Sequence, residues 1–193
     1  MCSCDLIRNT HDLKYIRLTQ KSIVIKNPLP IYFYSVTNDV TMEHTIIGIR
    51  GDVPYDKIIS YFTSKELEVV LFNPDFVVGT KHIESALVHA ERAVNNGTNR
   101  TRSLISEIIL YSAWERQIGK AVKRMKPPAD AHEYVALVLG TSEINLNDLG
   151  MTEDKTLVEP SKEKAEKLGL NDPFLDYESQ AVERVADIEL LKT

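Results

Sequence analysis

A chain of 193 residues with an apolar fraction of 43% is long enough to bury a core, and its length fits one domain over 1–193. The formal net charge of −5 conceals a division: residues 1–78 are net −1, residues 79–126 net +5 and residues 127–193 net −9. No run approaches the ~20 apolar residues that cross a bilayer and MCSCDLIRNTHD shows no basic-then-apolar leader, so a cytoplasmic protein is expected.

Residues 1–22 have no clear period and read as a poorly ordered lead-in. Ser22–Lys26 reads as a short edge strand, broken at Asn27-Pro-Leu-Pro because proline has no N–H for a ladder. Ile31–Val36, dense in β-branched and aromatic residues, predicts a strand followed by a turn at Thr37-Asn38-Asp39. His44–Arg50 predicts another, stopped by Gly51-Asp52. Pro54 suits a first helical position, with Asp52 as cap, and Tyr55–Thr63 follows as a helix with Ile58, Ile59 and Phe62 inward. Glu68–Phe72 is a third apolar strand, Asn73-Pro74-Asp75 a turn, and Phe76–Val78 a continuing edge.

Three helices are predicted next. Thr80 is the expected cap of the first, whose stripe is Ile83, Ala86, Leu87, Ala90 and Val94. Asn95-Asn96-Gly97 stops it, since Asn and Gly tolerate the left-handed backbone of a C-terminal cap. Thr101 is the expected cap of the second, with Leu104, Ile105, Ile108, Ile109 and Tyr111 apolar, and a bend or break falls near Ser112–Glu115. The third carries Ile118, Ala121, Val122 and Met125 as an inward stripe and ends at Pro127-Pro128. His132–Leu139 is apolar on both faces, the pattern of a central strand. Ile144–Leu149 reads as a helical turn and Ser161–Leu168 as a charged helix ended by Gly169. Phe174–Leu191 closes the chain, helical in its later part, with Val182, Val185, Ala186 and Leu190 on one side; 161–193 is thus a C-terminal helical segment. The expected class is mixed α+β: a small central sheet from strands near 31–36, 44–50, 68–72 and 132–139, covered by the helices of 80–125.

Motifs for a phosphate loop, a dinucleotide site, a zinc site or a nucleophile elbow are absent from the sequence. Cys2 and Cys4 make half of a tetrahedral metal site, and His82 and His89, seven apart on one helix, lack a third ligand. No metal or cofactor is expected, and catalysis has no motif behind it. Asn96-Gly-Thr and Asn99-Arg-Thr fit the glycosylation sequon but follow no secretory signal. Arg116, Lys120, Lys123 and Arg124 recur at helical spacing, while Lys81, Arg92, Arg100 and Arg102 lie near helix ends, where phosphate is attracted. Two readings fit them: a solvated helix face or an anion-binding surface. Trp114, the single tryptophan, suits a binding hot spot or a core.

The order of these pieces carries a resemblance. An Asn73-Pro-Asp75 turn precedes a helix with His82, Ile83, Ala86 and Ala90, and Arg100-Thr-Arg102 follows. Then come Leu104, Glu107 and Ile108, then Arg116-Gln117-Ile118 with Ala121, and late in the chain Glu183-Arg184-Val185-Ala186. Over about Phe33 to Leu190 the chain resembles the kinase-binding subunit family of the KEOPS complex, the TPRKB-like proteins. It departs from that pattern at Arg124-Met-Lys-Pro-Pro and at Asp187-Ile188. The resemblance implies a small α/β protein without catalysis of its own. Such a subunit binds and regulates the KEOPS kinase/ATPase within the complex that places threonylcarbamoyl on tRNA, and it recruits tRNA through the 3′ CCA end. It turns the basic residues into expected tRNA contacts at Lys81, His82, Arg100, Arg102, Arg116 and Lys120. Leu110, Trp114 and Ile118 are the expected kinase contacts. Two alternatives stand beside this: an adaptor that stabilises the kinase without touching tRNA, and an enzyme for a small anion at the Asn73-Pro-Asp75 turn.

Overall fold

The computed structural model of the protein describes residues 42–190. They belong to the second of the two units into which the chain divides, Met1–Asn38 and Asp39–Thr193. The expected lead-in at 1–22, the strands at Ser22–Lys26 and Ile31–Val36, and Cys2, Cys4 and His11 lie outside the described residues. In chain order the elements are β1 (His44–Arg50), α1 (Tyr55–Ser64), β2 (Glu68–Phe72), α2 (Thr80–Asn95), α3 (Leu104–Ser112), α4 (Ile118–Met125), β3 (Glu133–Leu139), β4 (Thr152–Glu153), α5 (Lys162–Leu168) and α6 (Tyr177–Leu190). Short 3-10 turns lie at Pro74–Phe76, Leu146–Leu149 and Lys155–Leu157. The class is mixed α+β, as the sequence predicts, and the described residues form a sheet of four antiparallel strands in the order β2-β3-β1-β4.

β3 is apolar on both sides after Glu133, and it takes the central place that such a sequence demands. Val135, Leu137 and Leu139 share one face with Val70 and Phe72 of β2. The register aligns them, Leu137 standing opposite Ile46 on one side and Val70 on the other. This face is covered by α2, α3, α4 and α6 through Ile83, Leu87, Ile108, Met125 and Val185. On the opposite face Tyr134, Ala136 and Val138 join Ile49 and Leu71 beneath Ile58 and Phe62 of α1. Gly48 of β1 lets a loop lie directly on the sheet. A Cβ there would meet Asp154 O at 2.1 Å and Leu157 Cβ at 2.8 Å, and the Asp154 N–H donates to Gly48 O at 2.8 Å.

The helix ends differ in detail from the sequence reading. Gly79, at φ +88°, precedes α2 in the cap position expected of Thr80. Ser103 caps α3, its Oγ accepting from Ser106 N–H at 3.2 Å, because the Thr101 hydroxyl donates to Glu107 instead. α2 stops where expected: with Gly97 at φ +66°, its N–H donates to Val94 O and that of Thr98 to Ala93 O, a Schellman closure. α3 ends in the same closure, but Trp114 holds the glycine position at φ +55°. A bulky residue there costs about 1–2 kcal/mol of backbone strain. α6 is rotated from its expected face. Ala181, Val185 and Ile188 are buried while Ala186 and Leu190 are exposed: Val185 and Ile188 join the core that α2 covers, and Ala181 packs with Val78, Ala165 and Leu170. Among the described residues no helix is long and apolar enough to cross a membrane.

Gly48→Val should destabilise the protein by about 1–3 kcal/mol, the usual cost of overpacking, read as a lower urea midpoint. Gly97→Ala, with open space around its Cβ, should cost about 1 kcal/mol from the backbone alone.

Candidate functional site

The basic stretch begins where α2 leaves the sheet. His82 is fully buried there. Its Nδ1 lies 3.3 Å from the Val78 nitrogen and its Nε2 3.0 Å from Ser112 O. A backbone N–H must donate and a carbonyl must accept, so the ring is neutral with its proton on Nε2. Burial pulls its pKa down to about 4, against a smaller opposing pull from the Ser112 carbonyl. The imidazole thus ties the start of α2 to the end of α3, and the Trp114 ring leans on it with centroids 5.3 Å apart. His82 has no ring nitrogen left for a surface ligand, so its expected tRNA contact is corrected to an internal role.

The N-terminus of α2 is also occupied. Glu178 of α6 accepts from the Lys81 N–H at 3.0 Å and pairs with Lys81 Nζ at 3.6 Å. A Cβ on Gly79 would lie 2.0 Å from that carboxylate, so only glycine admits the cap. The phosphate-attracting end expected here already holds an anion of the chain's own. Lys81 remains 71% exposed beside it. α6 gains a second tie further on, where Tyr111 donates to Glu189. Burial first, and then that carboxylate, push the phenol well above its ordinary value.

At the far end of the α2–α3 hairpin a buried carboxylate shapes the basic turn. Glu107 accepts from the Arg100 N–H at 3.1 Å, the Thr101 N–H at 2.9 Å and the Thr101 hydroxyl at 2.7 Å. The turn is ordered by its backbone, and Arg100 and Arg102 are presented at its exposed surface.

α4 departs from the Trp114 turn and packs along α3, where Met125 joins the core cluster against which Ile105 and Ile109 lie. Only Ala121 and Met125 are buried. Ile118 and Val122, expected inside, are 38% and 36% exposed, because α4 leans on α3 by the other edge of its apolar arc. Arg124 is fixed within the protein, donating to Ala113 O at 2.7 Å and pairing with Glu115 at 3.0 Å. Arg102, Arg116, Lys120 and Lys123 are exposed and form no ion pair among the described residues.

The expected tRNA residues therefore fall into two groups. Lys81 and His82 stand in the first turn of α2 and Arg100 and Arg102 beyond its other end; the helix is sixteen residues, about 24 Å, long. Arg116 precedes α4, and Lys120 and Lys123 lie on it, against α3 rather than α2. Of the expected kinase contacts, Leu110 is corrected to a core residue. Trp114 is largely taken up between two core clusters, and Ile118 is at the surface. Sequence reasoning missed Glu107 and Glu178 as organisers and Val122 as a surface residue. Glu107 stood within the recognised motif, but spacing alone does not say what a carboxylate holds. The Asn73-Pro-Asp75 turn is braced internally. The Asn73 side chain accepts from Asp75 N–H at 3.1 Å, and Asp75 pairs with Lys167 at 2.7 Å.

A family model described as kinase binding protein CGI-121 matches residues 33–188. No curated protein matches the chain.

His82 makes stability depend on pH. Its folded pKa lies below the ordinary value, so the unfolded chain binds the extra proton. Stability is complete above about pH 6.5 and falls as pH drops toward 4, by up to about 3 kcal/mol at 1.36 kcal/mol per unit. Urea titrations at pH 7.5 and 5.0 should show this loss in the wild type and a smaller one in His82→Gln.

Proposed function

The chain belongs to the CGI-121 family of kinase-binding proteins, and from that premise we propose that it is the non-catalytic, kinase-binding subunit of a KEOPS-type complex. In this role it regulates the kinase/ATPase and brings tRNA to the complex by its 3′ CCA end, for threonylcarbamoyl transfer. The observation that carries the kinase half is the family match over 33–188, which spans all the described helices and strands but the last two residues of α6.

The tRNA half is supported by charge. Four exposed cations without ion pairs among the described residues, Arg102, Arg116, Lys120 and Lys123, run along α4 and the ordered turn before α3. A row of this kind suits a strand backbone better than a single phosphate, since each neutralised phosphate adds a counterion-release term. The apolar residues beside it, Ile118 and Val122, leave room for stacking or for a protein partner. Pairing of Lys81 with Glu178 and of Arg124 with Glu115 favours a second reading, in which the protein props up the kinase and leaves tRNA to other subunits.

Filter binding of the isolated protein to tRNA at two salt concentrations separates the readings. Four single-strand contacts should give log K a slope near −3 against log salt, at about −0.7 per contact. Arg116→Ala and Lys120→Ala should each remove about one contact's worth, and tRNA lacking CCA should bind more weakly. Binding indifferent to salt, to these changes and to the CCA end would support the adaptor instead. Glu107→Gln removes a negative charge, yet should weaken tRNA binding severalfold by releasing the Arg100–Arg102 turn; tighter binding would mean that the turn's order is irrelevant.

A further inference from the structure

Between the outer edge of β2 and the flank of α4 that carries Val122 lies an apolar groove of about 230 Å³. Tyr55, Val69, Ile105, Ile109 and Val122 line it, and Lys126 is its sole charged lining residue among the described residues. Among the described residues β2 is an edge strand. Just past its end the Asn73 N–H donates to Met125 O at 2.8 Å, which holds the last turn of α4 against the edge at that point. Peptide groups alternate in direction along a strand, so those of Leu71 and Val69 turn the same way as that of Asn73, toward the groove. Among the described residues neither makes a backbone bond outside the sheet. A partly open edge beside exposed apolar side chains is a surface that proteins ordinarily cover.

The dimensions and charge narrow the occupant. The volume falls below the ~300–1,000 Å³ of small-molecule sites, and it takes one or two large side chains. Among the described residues no carboxylate lines the groove. Lys126 Nζ lies 6.0 Å over the Tyr55 ring, and Lys123 stands exposed nearby on the same helix. We infer that this groove, and not the Trp114 turn, receives the kinase partner. The kinase segment presents one or two large apolar side chains to Val122, Ile109 and Tyr55, and a carboxylate to Lys126. The identity of the partner rests on the family reading; the location rests on the groove.

A second copy of the chain is the rival occupant. Phe174 is 91% exposed beside Leu175, between Asp172 and Asp176, which is the same acid-flanked apolar chemistry.

The test co-expresses a tagged full-length chain with the small KEOPS-type kinase of the same organism, in four forms: wild type, Val122→Asp, Lys126→Glu and Phe174→Ala. Each is checked by thermal melting and by light scattering without kinase. Val122→Asp should melt close to wild type and recover at least tenfold less kinase; Lys126→Glu should recover severalfold less, and Phe174→Ala as much as wild type. If Val122→Asp melts early, the exposed Lys126→Glu decides alone. Folded groove variants that recover the wild-type amount of kinase overturn the location and leave the family reading standing. A wild-type chain that recovers no kinase overturns both. A wild-type dimer lost in Val122→Asp and in Phe174→Ala assigns the groove to a second copy and overturns the inference.

Discussion

One neutral imidazole fixes the working end of this molecule. His82 accepts from Val78 and donates to Ser112, and it does so in a fully buried site where an unmade hydrogen bond would cost about 1–3 kcal/mol. The two bonds hold the start of α2 against the last turn of α3. That junction is where the chain must reverse, and Trp114 makes the reversal in a backbone state that glycine normally supplies. The strain there is offset by the ring's contacts with His82 and with two parts of the core. From this turn α4 takes its direction, and with it the positions of Arg116, Lys120 and Lys123.

The fold sorts the positive charge of the middle segment rather than simply displaying it. Lys81 and Arg124 meet carboxylates. The acidic C-terminal segment supplies Glu178 as the cap of α2 and Glu189 as the acceptor for Tyr111. The opposite charges of the two segments thus serve partly to dock α6 on α2, which is a structural use of charge. Arg102, Arg116, Lys120 and Lys123 are left for water or for a partner. The same economy appears in the apolar residues of α4. Ala121 and Met125 satisfy the core, and Ile118 and Val122 are left over beside an edge strand.

Much of the architecture was legible in the linear pattern, because the strongest signals are local. A strand apolar on both faces has to be central, and β3 is. Asn95-Asn96-Gly97 could end a helix in few other ways, and α2 ends there. Strands β1 and β2 and the three middle helices follow from period and punctuation alone. The rotation of each helix was less legible. In α4 and α6 the apolar arc is wider than the buried arc, so period narrows the inward face without choosing it; Val122 and Ala186 came out because their neighbours were already satisfied.

The order of motifs along the chain, and the charge of its middle, belong to the sequence and would survive any folding. Which cation is spent inside the protein is a matter of long-range partners: Glu178 lies 97 residues from Lys81, and no local rule joins them. The same holds for the buried His82, whose partner Ser112 lies thirty residues away, and for the groove, whose walls come from four separate elements. Local preference acts over a turn or two of backbone, whereas burial and ion pairing act through space, so those assignments waited on the packing.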